Sequence, residues 1–260
     1  MLNFYIKNNQ KEDWIILFHG IGGDANTWNL QEKCLSEKYN LLLLDLPAHG
    51  KSGYNYDKIT IDGLNKEIAE VLRYNKISKA IFIGLSLGSI VMGNFIMKHP
   101  QYVKSVIFVA SVIEMNLFCK TVIHVGYIFR KILPYKPLYK IAIKMVAPQK
   151  KYKSERKMFE KGFDKMGRQN LMLWLEYVHE TIKRTDIQIL LNKIKKPILF
   201  ISGGKDRYFL SGSIKTANSV NGAELAMLKN SMHVCNRDEY DAFNRIIIGF
   251  LDKNAVMKYN

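Results

Sequence analysis

The chain has 260 residues, 48% of them hydrophobic, enough to bury one large core, so a single domain is expected. Its 39 Lys and Arg against 23 Asp and Glu give a net charge of +16, a balance suited to anionic surfaces or substrates. Three cysteines, Cys34, Cys119 and Cys235, form no CxxC pair and are odd in number, which argues against a disulfide framework or a structural zinc site and for a reducing, cytoplasmic setting.

The first residues, Met1 to Tyr5, show no basic segment leading into an apolar one, and no uncharged run approaches the roughly 18 residues that span a bilayer. The chain is therefore expected to be neither targeted nor anchored. Short runs rich in Ile, Val, Leu and Phe then recur with helical segments between them, as in parallel strands buried on both faces. Strands are expected near 3–7, 14–18, 40–45, 79–84, 103–110, 197–202 and 224–228. Helices fit at 27–37, 61–74, 86–98 and 211–220, with a last one near 238–251 whose Tyr240, Phe243, Ile247 and Phe250 fall three and four apart. This alternation predicts an α/β architecture with a mostly parallel central sheet and flanking helices.

The alternation stops after Ala110 and resumes at Pro197. The stretch between reads as several helices punctuated by Pro134, Pro137 and Pro148, a helical cap inserted at 114–185 into a core made of 1–113 and 186–260. Residues 115–170 carry 14 Lys and Arg against 3 Asp and Glu, so +11 of the total charge sits in about a fifth of the chain. The lysine-rich run 149–157 fits a solvated loop or helix edge within this insertion.

Gly84-Leu85-Ser86-Leu87-Gly88 follows the fourth strand directly and opens the next helix. A serine there sits on a tight, strained turn, and the flanking glycines remove side chains that would collide where strand and helix meet. The hydroxyl is thereby presented at the C-terminal edge of the sheet, where open α/β sheets bind ligands. After the second strand comes His19-Gly20-Ile21-Gly22-Gly23, a glycine-rich turn whose N–H groups can face a developing negative charge. The N–H groups of Ile21 and Leu87 are the expected pair of oxyanion donors.

With Trp28 after the glycine-rich turn, Asp45-Leu-Pro-Ala-His-Gly-Lys-Ser-Gly53, the late Gly203-Gly-Lys-Asp206 and Ser231-Met-His233, the chain resembles the α/β-hydrolase superfamily over nearly its whole length outside the insertion. The resemblance implies that Asp206 and His233 join Ser86 as acid, base and nucleophile, in the chain order usual for that family. It also places His19, Gly20 and Trp28 as expected substrate contacts, with no metal and no cofactor. Glu114, just past the fifth strand, is the alternative acid; Asp45 is given no catalytic role, and His49, His99, His124 and His179 are read as structural or surface residues.

The chemistry implied is cleavage of a small-molecule carboxylic ester or thioester through an acyl-enzyme on Ser86. The same constellation also serves carbon-carbon bond hydrolases and lyases, and ligand-binding signalling proteins that turn over little. The apolar rows of the cap, 115–133 and Leu171, Trp174, Leu175 and Val178, either pack the cap on the core or line an acyl pocket rimmed by cations. The second reading suits a carrier-bound acyl group, or peripheral contact with an anionic membrane. No nucleic-acid motif accompanies the charge, so nucleic acid is not an expected partner.

Overall fold

The computed structural model describes residues 1–183 and 191–256. Within them, β1 (Phe4–Lys7), β2 (Trp14–Phe18), β3 (Asn40–Leu44), β4 (Ala80–Leu85), β5 (Val103–Val109), β6 (Ile198–Gly203) and β7 (Glu224–Leu228) form one sheet in the order β1-β3-β2-β4-β5-β6-β7. β1 runs antiparallel to β3, and every other neighbouring pair is parallel. The seven strands expected from the apolar runs thus form, each within a residue of its expected ends.

Successive side chains of a strand point to opposite faces, and here both faces are covered. Ile16 and Phe18 of β2, Leu42 and Leu44 of β3, Phe82 of β4, Phe108 of β5 and Phe200 of β6 enter one core. Their neighbours Ile15, Leu17, Leu41, Leu43, Ile83, Ile107 and Ile201 enter the other. Helices α2 (Ile61–Tyr74) and α3 (Leu87–Lys98) close the first layer, and α1 (Asn29–Ser36) and the terminal helix α8 (Tyr240–Val256) close the second; α7 (Leu210–Ser219) lies between β6 and β7.

Local chemistry sets these helices. Thr60 caps α2 by accepting from the Gly63 N–H, and Leu64, Ile68 and Leu72 recur every fourth residue to give it one buried face. In α8, Phe243, Ile247 and Phe250 are buried as their spacing predicts, but Tyr240 is exposed because it starts the first turn, outside the packed stripe.

Between β5 and β6 lie α4 (Leu117–Ile128), α5 (Tyr135–Val146) and α6 (Lys153–Ile182). Pro137 does not break a helix as expected: it occupies the first turn of α5, where its missing N–H would have had no helical acceptor. The break falls instead inside α6 at Gly167, with φ 71° and ψ 176°, a conformation essentially reserved for glycine. The run expected to be a solvated edge supplies a short helical turn and the start of α6. The expected return from cap to core at 185/186 lies outside the described residues. Among those residues, no helix is long and apolar enough to cross a membrane.

Candidate active site

β4 delivers its chain end to the C-terminal edge of the sheet, and the turn into α3 puts Ser86 at φ 51°, ψ −115°, an uncommon conformation for a residue with a side chain. The tight turn is made by glycine. A Cβ on Gly84 would lie 2.6 Å from the Gly88 carbonyl oxygen, and one on Gly88 would lie 2.4 Å from that of Phe18. Helix α3 therefore starts against β2 at a distance no side chain permits.

Ser86, His233 and Asp206 come together in one hydrogen-bonded chain, although Ser86 and His233 are 147 positions apart. The His233 Nε2 stands 2.8 Å from Ser86 Oγ, and its Nδ1 2.6 Å from Asp206 Oδ2. A carboxylate can only accept, so Nδ1 carries the proton and donates; Nε2 then accepts from the serine hydroxyl. The second carboxylate oxygen of Asp206 accepts from the backbone N–H groups of Tyr208 and Phe209 at 3.3 and 3.2 Å. With His233 and Asp206 each only 3% exposed, the chain is shielded from water except at the serine. Chemically, such a row lets a hydroxyl hand its proton to an imidazole whose resulting charge is compensated.

Glu114, the alternative acid, is engaged elsewhere: Lys120 stands 2.9 Å and Lys215 3.4 Å from its Oε1. Asp45 is fully buried and organises its loop, accepting from Ala25 N–H, Lys51 N–H and the Asn3 side chain.

The glycine-rich turn lies beside Ser86, close enough that a Cβ on Gly20 would touch the Ser86 Cβ at 3.4 Å. Ile21 and Leu87 both line a cavity with Ser86, and Leu87, as first residue of α3, has an N–H with no intrahelical acceptor. Gly20 also lines a cavity at Ser86, but two expected substrate contacts are not found there. His19 is fully buried, with Nδ1 2.8 Å from the Gly20 carbonyl and Nε2 accepting from Leu46 N–H, so neither nitrogen is left for a ligand. Trp28 is fully buried in the second core, its bulk spent on packing.

His49, expected to be structural, braces the site. His49 Nε2 accepts from Gly22 N–H at 3.0 Å, and Nδ1 lies 2.9 Å from the Pro47 carbonyl, so its ring ties the glycine-rich turn to the 45–53 loop. Burial holds His49 well below its ordinary pKa, helped by the neighbouring His19; burial lowers His19 as well. Both rings are therefore neutral, which suits a donor-acceptor brace. The sequence signal was the histidine's place in the loop motif, whose partner 27 positions away only the fold supplies.

Two cavities meet at Ser86. The larger, about 250 Å³, runs under the cap between α4, α5 and α6 and is walled by side chains such as Leu138, Leu171, Trp174, Leu175 and Val178. Cys119 belongs to this wall, its thiol pushed up to about 11 by burial and by Asp206, so it remains uncharged at neutral pH. The smaller, about 50 Å³, lies on the His233 side and is bounded by Asn236 and Arg237. Ala142, exposed on α5, and Val146 line both. The cap is fastened here directly: a Cβ on Gly162 of α6 would fall 2.0 Å from the Gly22 carbonyl oxygen, and the Phe163 ring covers Gly22.

Comparison with known proteins agrees with this architecture. Residues 13–140 match the family model described as alpha/beta hydrolase fold. Over 97 residues, 37% of this chain, the sequence is 34% identical to the dihydrolipoyllysine-residue acetyltransferase component of the acetoin cleaving system of Pseudomonas putida. Over a stretch of the same length it is 31% identical to the pimeloyl-[acyl-carrier protein] methyl ester esterase of Salmonella heidelberg. These matches span 26% and 36% of the relatives' own lengths. Among solved structures, the enol-lactonase from Burkholderia xenovorans superposes with a TM-score of 0.78 at 21% identity, covering 96% of each chain, a likeness of fold.

Proposed function

From the premise that the chain is an α/β hydrolase by fold and superfamily, we propose that it cleaves a carboxylic ester or thioester with an apolar acyl group through an acyl-enzyme on Ser86. The observation that carries this reading is the hydrogen-bonded row Ser86, His233, Asp206 opening on an uncharged cavity of about 250 Å³.

In this reading Ser86 Oγ attacks the acyl carbonyl while His233 Nε2 takes its proton. The imidazolium is held in orientation and compensated by Asp206. The oxyanion falls between the N–H groups of Ile21 and Leu87, preorganised donors in a water-poor site. His233 returns the proton to the leaving alcohol or thiol, which departs on the side of the smaller cavity near Arg237. Water activated by the same imidazole then frees the acid. The larger cavity holds the acyl chain: its walls offer dispersion contacts and no charge, as an apolar chain requires. The similarity to a methyl ester esterase supports ester cleavage as the reaction.

Fluorophosphonate labelling of the wild type and Ser86→Ala, beside hydrolysis of p-nitrophenyl esters of increasing chain length, tests the proposal. The expected result is labelling that vanishes in Ser86→Ala, turnover that falls by up to about six orders of magnitude, and a preference for one range of chain lengths. Labelling without turnover of any ester would favour a ligand-binding role, and full turnover in Ser86→Ala would sink the mechanism.

A further inference from the structure

Helix α4 has two apolar faces. Its inner residues Cys119, Val122, Ile123 and Gly126 wall the larger cavity, and Gly126 lies close to Leu175 of α6, so this face is accounted for by the fold. On the other side Phe118 and Val125 of the helix and Phe129 and Ile132 of the turn that follows it, at spacings of seven, four and three, are all exposed, the Phe118 ring also stacking on Tyr208. Leu117, Ile128 and Ile132 reach 81%, 54% and 76% exposure. A continuous apolar stripe left in water is not a feature of an ordinary surface helix and marks a contact surface.

The charge of the segment that carries the stripe points to the partner's chemistry. Residues 115–146 contain six Lys and Arg and no Asp or Glu. Lys131, Lys136, Lys140 and Lys144, in the turn after α4 and on α5, are exposed. Two copies meeting through this face would set one cationic cap against another, with no acid in the segment to compensate. An anionic lipid surface satisfies both parts, taking the apolar row into the acyl boundary while its headgroups meet the lysines.

We propose that the outer face of α4, flanked by the lysines of α5, docks on an anionic bilayer surface. Docked so, α4 stands between the lipid and the larger cavity, whose wall its inner face forms. This deepens the proposed function by naming where an apolar acyl group would be collected, and the docking can be tested without turnover.

The test is co-sedimentation of the full chain with vesicles of phosphatidylcholine alone or mixed with phosphatidylglycerol, at low and high salt. The variants are Leu117→Ser/Ile128→Ser/Ile132→Ser, three residues outside the cavity wall, and Lys136→Glu/Lys140→Glu. Binding is expected with mixed vesicles only, weakened by salt and reduced at least about tenfold in either variant. Turnover of a soluble short-chain ester should match the wild type, which shows that the variants fold. Wild type left in the supernatant with mixed vesicles overturns the proposal. So does binding that the serine variant retains in full, or a dimer in solution that the serine variant dissociates. Absence of ester turnover in every form, with vesicle binding intact, would remove the proposed reaction and leave the docking surface standing.

Discussion

At the scale of single residues, the site depends on groups whose protonation the surroundings decide. Asp206 accepts from His233 and from two backbone N–H groups. In Asp206→Asn the amide can donate, so the imidazole loses the pressure toward the tautomer with Nδ1 protonated; turnover is expected to fall roughly 10⁴-fold with folding intact. Comparing steady-state rates with the circular dichroism spectrum checks this. His49 permits a pH argument. Its folded pKa lies well below 6.5, so below that pH the unfolded chain binds more protons than the folded one. The stability it confers is complete above the unfolded value and is lost as pH falls through 6.5 toward the folded value. The melting temperature should therefore drop between neutral and mildly acidic pH, and drop less in His49→Gln. An equal drop in both proteins would show that other groups govern it.

Among elements, the cap and the glycine-rich turn are coupled by glycines. Gly162→Ala puts a methyl group 2.0 Å from the Gly22 carbonyl oxygen, so α6 must lift or the turn must move. Where the turn moves, the Ile21 N–H moves with it, and a shift of about 1 Å near reacting groups is expected to cost on the order of 10²-fold in kcat/KM; where α6 lifts instead, kcat/KM is expected to change less. Ester kinetics of folded Gly162→Ala measure it. Gly167→Ala meets no steric neighbour, yet its backbone lies in a region alanine scarcely visits, so a loss of about 1–3 kcal/mol in denaturant unfolding is expected. The core elements were legible because period-two burial on both faces writes continuous apolar runs such as 41–44, and because Gly84 and Gly88 announce the turn they serve. The cap was legible only as helices. Pro137 in a first turn and Gly167 in a break have the same sequence weight as breakers, and only packing decides which one interrupts a helix. His19 and Trp28 were misplaced because a motif gives neighbours along the chain, whereas the cavity wall is drawn by residues such as Leu138 and Val178 from three separate helices.

For the whole molecule, charge and cavity divide the work. A net charge of +16 raises the local concentration of anions around the molecule, a long-range effect that salt screens. For an ester bearing a negative group, kcat/KM is expected to fall several-fold between low and physiological ionic strength, while a neutral ester of the same length changes little; equal salt dependence would assign the charge to solubility alone. The spread of the site along the chain has a further consequence. The elbow carrying Ser86 follows β4, whereas Asp206 and His233 follow β6 and β7, which are synthesised later. In the proposed mechanism the serine of a nascent chain stays latent until those strands emerge, because its proton has no imidazole to go to. Reactivity toward a fluorophosphonate is then expected to act as a clock for maturation, rising only once β6 and β7 have docked on the rest of the sheet.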